Sequence, residues 1–212
     1  MLNIEFFKKN MKPIYLLLVV LTFVACGLKN QEQIPKIDID KTREKVREAL
    51  KYCQDKNFNT DFCILIDMSL HSGVNRFMVW DFKEATILHS FLVSHGCCDK
   101  PWGRGHSKEN PIFSNVSGSH CSSLGKYKIG ERGYSNWGVH IKYLLHGLDS
   151  TNNNALSRYI VFHSWDAIAD KEVYPQGTPE GWGCPAISNN SFKIIDPMLK
   201  SSAKSVLMWI YE

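Results

Sequence analysis

The sequence predicts a mainly β protein with minor α content, a β-sandwich or closed sheet carrying one helix on its outside. Two observations carry this expectation. Short runs of branched and aromatic residues recur along the chain with turn material between them. Only one stretch, 38–55, shows clear helical spacing, and its apolar stripe is too narrow for the centre of a core.

The chain begins with a targeting segment, 1–25. Lys8, Lys9 and Lys12 form a basic region, and 14–25 is an apolar run too short to span a bilayer comfortably. It ends Phe23-Val24-Ala25-Cys26-Gly27. Small residues before a cysteine resemble the lipobox of bacterial lipoproteins, which implies cleavage before Cys26 and lipid on its sulfur and amine. An ordinary signal peptide cut near Ala25 and an uncleaved anchor are the competing readings. Each places the domain in the cell envelope, facing the periplasm or the cell exterior, and the first and third anchor it to the membrane. The formal net charge of +4 includes Lys8, Lys9, Lys12 and Glu5; without them it is +2. No basic run follows, so nucleic acid is not an expected partner. Roughly 185 residues remain, enough for one domain with its own core.

Residues 26–37 are polar and read as a tether, 38–58 as the N-terminal helical segment, and 59–212 as the main domain. In the helix Asp40 is the expected N-cap, with Val46, Leu50 and Cys53 at helical spacing. Strands are expected at 62–68 (FCILIDM), 76–80 (RFMVW), 87–94 (ILHSFLVS) and 205–211 (SVLMWIY), the first two as a hairpin. Residues 94–147 are dense in Gly, Ser, His and Trp with little periodicity, as functional loops inside a domain often are.

The stretch 158–187 carries the chemistry. Its run Tyr159-Ile160-Val161-Phe162 reads as a strand that delivers His163 and Ser164 at its end. A Gly/Pro-bearing loop then leads to Trp182-Gly183-Cys184-Pro185, a thiol on a tight turn. A free thiol has a pKa near ~8.5, and a nearby imidazole can take its proton. Gly183 permits close backbone approach, and the amides of Gly183 and Cys184 can face a developing oxyanion. Ser164 can orient the imidazole through its hydroxyl or its carbonyl. For an arbitrary Cys and His in one chain, a buried hydrophobe and a satisfied core histidine are the commoner outcome.

This string resembles the catalytic signature of the L,D-transpeptidases of the YkuD type, in the murein L,D-transpeptidase catalytic domain branch. The resemblance extends through His95-Gly96, Phe113-Ser114-Asn115, Ser119, Ser122-Ser123-Leu124-Gly125, Gly147, Asn154, Ala155 and Arg158, covering roughly 59–212. It implies an L,D-transpeptidase-like β-sandwich, Cys184 as nucleophile, His163 as base and Ser164 as its orienting group. Gly181 stands where the family usually has Ser or Thr, and Trp182 where many members have a second His. His95, Ser119, Ser122, Arg158 and Trp182 are expected in the substrate groove, with a structural clamp as the competing role for Arg158. Trp102, Trp137 and Trp182 are either a groove floor or core residues.

The implied substrate is the peptidoglycan stem peptide, joined to a neighbouring stem as a 3→3 cross-link through a thioester. An L,D-carboxypeptidase or hydrolase would use the same thioester with water. Carbapenems are the expected inhibitors, and no cofactor is required. A wall-binding lipoprotein without catalysis is the reading of another class, and zinc binding a further one. His95, Cys97, Cys98, His106, His120 and Cys121 offer zinc donors, but adjacent Cys97 and Cys98 cannot chelate as a spaced pair, so no metal is expected. Of the seven cysteines, Cys121 has Cys97 or Cys98 as a disulfide candidate and Cys53 has Cys63, with free buried thiols equally open.

Overall fold

The computed structural model describes residues 33–212. The signal segment 1–25, most of the tether and the lipidation candidate Cys26 lie outside the described residues. Helix α1 spans Ile39–Asp55. Its N-cap is Asp38, not Asp40: the Asp38 carboxylate accepts the N–H groups of Asp40 and Lys41 at 3.0 and 3.1 Å. Asp40 instead sits in the first turn, where its charge complements the helix dipole. Thr42, Val46, Ala49 and Cys53 form the buried face.

Eight strands follow: β1 (Phe62–Asp67), β2 (Phe77–Asp81), β3 (Thr86–Phe91), β4 (Gly125–Tyr134), β5 (Ile141–Gly147), β6 (Val161–Ser164), β7 (Ala186–Ile187) and β8 (Leu207–Tyr211), with helix α2 (Asn189–Ser201) between the last two. They make one sheet in the order β3-β2-β1-β8-β4-β5-β6-β7. The β1–β8 and β6–β7 pairs are parallel and the rest antiparallel.

The sheet curls until its inner face meets itself. Phe77 on β2 stacks on Phe162 of β6 with centroids 5.6 Å apart, although the two strands lie near opposite ends of the sheet. The chain just past β3 then closes most of the gap, with Ser94 N–H donating to the Ala186 carbonyl at 2.9 Å and Gly181 N–H to the His95 carbonyl at 2.8 Å. Ile64, Ile66, Phe77, Val79, Met208 and Ile210 fill the interior with Tyr127, Tyr143, Leu145 and Phe162. The alternate residues Cys63, Leu65, Met78, Trp80, Leu207 and Trp209 face outward and are covered by α1. Burial on both faces is why these strands read as continuous apolar runs. Helix α2 adds Phe192, Ile195 and Leu199 to the interior.

The expectation of a single helix misses α2, whose Asn-Asn-Ser start and internal Pro197 hide its periodicity. The β4–β5 hairpin escapes as well. Its register shifts between Ile129 and Arg132, and the outer half of β4 is exposed.

Candidate active site

Strand β6 carries His163 and Ser164 to a cleft of about 390 Å³ whose lining includes Cys184. The pairing of His163 with Ala186 on β7 brings the imidazole beside a residue two positions past Cys184. His163 Nδ1 lies 2.8 Å from the Ser164 carbonyl. A carbonyl only accepts, so Nδ1 carries the proton and Nε2 keeps its lone pair for the cleft. The Ser164 hydroxyl plays a separate part. It accepts the Val139 N–H at 2.9 Å and so holds the loop before β5. Gly138 in that loop has φ +56, and a Cβ there would meet the Ser164 Oγ at 2.1 Å.

The Cys184 turn is held by two serines. Ser122 Oγ accepts the Gly96 N–H at 3.1 Å and donates to the Gly183 carbonyl at 3.2 Å. Ser94 Oγ accepts the Ala186 N–H at 3.1 Å and donates to the Cys184 carbonyl at 3.4 Å. Gly183 has φ +96, and a Cβ would come within 2.5 Å of the Cys121 carbonyl oxygen. With both carbonyls occupied, the N–H groups of Gly183 and Cys184 donate to no acceptor among the described residues. They are free to hold an oxyanion.

Cys184 Sγ accepts the Val161 N–H at 3.4 Å and lies 3.9 Å from the Tyr159 carbonyl. Burial raises the thiol pKa above its ordinary value, while the Val161 N–H and the charges of Arg158 and Lys142 pull it down. Burial lowers the His163 pKa; the Ser164 carbonyl opposes this, and Lys142 adds to it. The resting pair is therefore neutral thiol and neutral imidazole. No hydrogen bond joins them among the described residues. Such contacts commonly tighten only when substrate excludes water.

The cleft wall bears Arg158, Lys142 and His120 and no carboxylate. Lys142 is the cross-strand neighbour of His163, and its ammonium bonds the Tyr159 hydroxyl. Arg158 donates to the carbonyls of Ser114 and Cys121 at 2.9 and 2.6 Å and to the hydroxyls of Ser123 and Ser119 at 2.6 and 3.3 Å. It is thus a loop clamp that still lends the cleft its charge. Adjoining the cleft, and sharing Trp137, His163, Trp182 and Cys184 with it, a slot of about 80 Å³ is also lined by Trp102 and Trp165. Trp102, Trp137 and Trp182 are 45%, 43% and 59% exposed, so they are not core residues.

Two residues expected in the groove lie behind its wall. His95 is fully buried, accepting from Arg76 Nη2 on Nδ1 at 2.8 Å and facing Ser107 Oγ with Nε2 at 3.0 Å. Burial, with the Arg76 charge, lowers its pKa to about 3. Ser122 is buried under the Cys184 turn. Ser119 is half-buried beside the cleft, on Arg158. Cys98 and Cys121 form a disulfide, while Cys53, Cys63 and Cys97 are buried thiols, so the candidate Cys53–Cys63 bridge is not formed. The disulfide removes two sulfurs from the zinc donor set, and no group of three His, Cys, Asp or Glu among the described residues could hold a metal ion. Sequence reasoning missed the supporting roles of Ser94, Lys142, Val161 and Trp165. Ser94 alone left a signal, directly before His95-Gly96.

A thiol and an imidazole of fixed tautomer on one cleft, with two unengaged amides on the turn that bears the thiol, are the parts of a cysteine acyl-transfer site. Residues 33–211 match the family model described as the L,D-transpeptidase catalytic domain (YkuD_2), and the chain belongs to that family. Among solved structures it is similar to the helical cell shape determining protein Pgp2 of Campylobacter jejuni, at 12% identity and a TM-score of 0.43 over 71% of this chain and 47% of that one. Bd1075 of Bdellovibrio bacteriovorus is similar at 13% identity and a TM-score of 0.40, over 73% and 49% of the two chains. The L,D-transpeptidase of Xylanimonas cellulosilytica is similar at 10% identity and a TM-score of 0.36, over 76% and 68%. The chain spans about half the length of the first two. No curated protein matches it.

Proposed function

We propose that the protein is a cysteine-dependent L,D-transpeptidase that joins peptidoglycan stem peptides as 3→3 cross-links. The observation that carries this reading is the shared cleft: Cys184 and His163 line it together, with the unengaged Gly183 and Cys184 amides on the adjoining turn. His163 Nε2 takes the thiol proton, and Sγ attacks the carbonyl between the diamino acid and the D-alanine that follows. The two amides hold the tetrahedral oxyanion. The imidazolium then protonates the departing D-alanine amine, leaving a thioester and a neutral imidazole. That imidazole deprotonates the amine of a neighbouring stem, which attacks the thioester and expels the thiolate. Arg158 and Lys142 favour the substrate's carboxylates in the cleft and the anionic sulfur. The steps need no cofactor or metal.

The envelope location joins this proposal, with Cys26 as the lipid-bearing residue of a membrane-anchored lipoprotein. Among the described residues no helix is long and apolar enough to cross a membrane. The test is turnover of a disaccharide tetrapeptide by the full chain, read by mass spectrometry of the products. Released D-alanine with a cross-linked dimer supports the transpeptidase. Tripeptide without dimer makes it an L,D-carboxypeptidase. Substrate bound but unchanged would leave a wall-binding lipoprotein.

A further inference from the structure

Cys184, His163, Trp137 and Trp182 line both the cationic cleft and an adjoining slot to which Trp102 and Trp165 add their rings. We infer that the tryptophan face binds the sugar chain of peptidoglycan, rings of N-acetylated hexosamine, and so sets how a stem peptide approaches Cys184. This rests on the reading that peptidoglycan stem peptides are the substrate.

Exposing these rings is costly. Indoles are normally well buried in a folded domain, yet Trp102, Trp137 and Trp182 stand 45%, 43% and 59% exposed within one cluster. Their positions are fixed by other rings. Trp102 stacks on Trp165 at 5.3 Å and 25°, and Trp165 is only 8% exposed, so it backs the cluster from inside. Trp102 also meets Trp137 at 5.9 Å and Trp182 at 6.1 Å, while Trp182 stacks on His120 at 5.5 Å. A face ordered before any ligand arrives loses little entropy on binding.

The chemistry of the face suits a sugar. An indole face is electron-rich, and the flat C–H face of a hexosamine ring complements it. A polar group for sugar hydroxyls and acetamides stands in the adjoining cleft, where Asn136 precedes Trp137, a ring common to both spaces. The rings wall a concave slot that ends on Cys184, whereas insertion into a bilayer would call for rings on a protruding tip.

The distances also fit. From the carbonyl attacked by Cys184, three residues of stem extend at most about 10 Å back towards the sugar. Trp182 adjoins Cys184 in the slot, and the steps from Trp182 to Trp102 and on to Trp137 measure 6.1 and 5.9 Å. Trp102 and Trp137 are the rings proposed to take a sugar at the end of the stem.

The test is tryptophan fluorescence of the full chain titrated with a peptide-free β-1,4-linked N-acetylglucosamine tetramer. Wild type should show saturable quenching. Trp102→Ala should weaken it roughly tenfold, the size of one lost aromatic contact. Trp102→Phe should keep most of the affinity, and Leu88→Ala, a comparably exposed apolar residue on β3, should bind as wild type does. Equal affinity in wild type and Trp102→Ala, or no binding of the tetramer, overturns the inference. So does a fluorescence change with anionic phospholipid vesicles that Trp102→Ala abolishes while the tetramer gives none, which would make the face a membrane surface. Tetrapeptide turnover without tetramer binding sinks the sugar site and leaves the proposed function intact. Tetramer binding without turnover supports the sugar site and sinks the transpeptidase.

Discussion

The Ser122 hydroxyl donates to the Gly183 carbonyl at 3.2 Å while it accepts the Gly96 N–H at 3.1 Å. One buried side chain thereby ties the segment that follows β3 to the turn bearing Cys184, and it holds the Gly183 carbonyl on a group that is 1% exposed.

Ser122→Ala should expose the value of that tie. It leaves a buried N–H and a buried carbonyl unmatched, a destabilisation of about 1–3 kcal/mol. Acylation of Cys184 should slow by at least tenfold as the turn loses its setting. Thermal unfolding and single-turnover acylation, measured together, check this. A lower melting temperature with unchanged acylation would make Ser122 a purely structural residue.

The pH dependence of acylation follows from two opposite shifts. Burial lowers the His163 pKa from its ordinary 6.5, so protonation stops it accepting the thiol proton only at a pH below 6.5. Burial raises the Cys184 pKa above its ordinary value, so the thiolate forms unaided only on the alkaline side. The rate of D-alanine release should climb through a first limb below 6.5, hold a plateau at neutral pH and fall on the alkaline side, where loss of the thiol proton leaves no imidazolium to protonate the departing amine. Removing the neighbouring charge with Lys142→Gln should move the first limb upward. A first limb above 7, or one unmoved by that substitution, contradicts the assignment of His163 as base.

Gly181→Ser restores the hydroxyl usual in the family. A Cβ at Gly181 meets nothing within 4 Å, and its backbone lies outside the left-handed region. Stability should stay within about 0.5 kcal/mol of wild type. Acylation should be at least as fast, because the added hydroxyl lies beside the slot lined by Cys184. A marked fall in either would show that glycine is required there.

Much of this was legible in the sequence, for physical reasons that differ between elements. Strands β1, β2 and β8 are apolar on both faces, because one face fills the barrel-like interior and the other meets α1. His163, Ser164, Gly183 and Cys184 were singled out by a strand end and a glycine turn together with the family resemblance, and the structure brings His163 and Cys184 to one cleft. Their supporting roles could not: Ser94 left only its place before His95-Gly96, and Ser122 was expected in the groove rather than beneath the turn. Ser94, Ser122 and Lys142 act across the sheet closure and across strand register, and neither leaves a periodic trace. His95 stood out as a polar residue next to a glycine, but its imidazole is consumed by Arg76 and Ser107 inside the wall. The tryptophans gave no sign of their exposure, since indole is usual in cores.

Everything proposed for the site depends on Cys184 being the acylated nucleophile. The most direct measurement is intact mass spectrometry of the full chain after exposure to a carbapenem, wild type beside Cys184→Ala. One added inhibitor mass is expected on wild type and none on the variant, although Cys53, Cys63 and Cys97 remain as thiols in both. An adduct of equal yield on the variant, or none on folded wild type with Cys184 reduced, would contradict it.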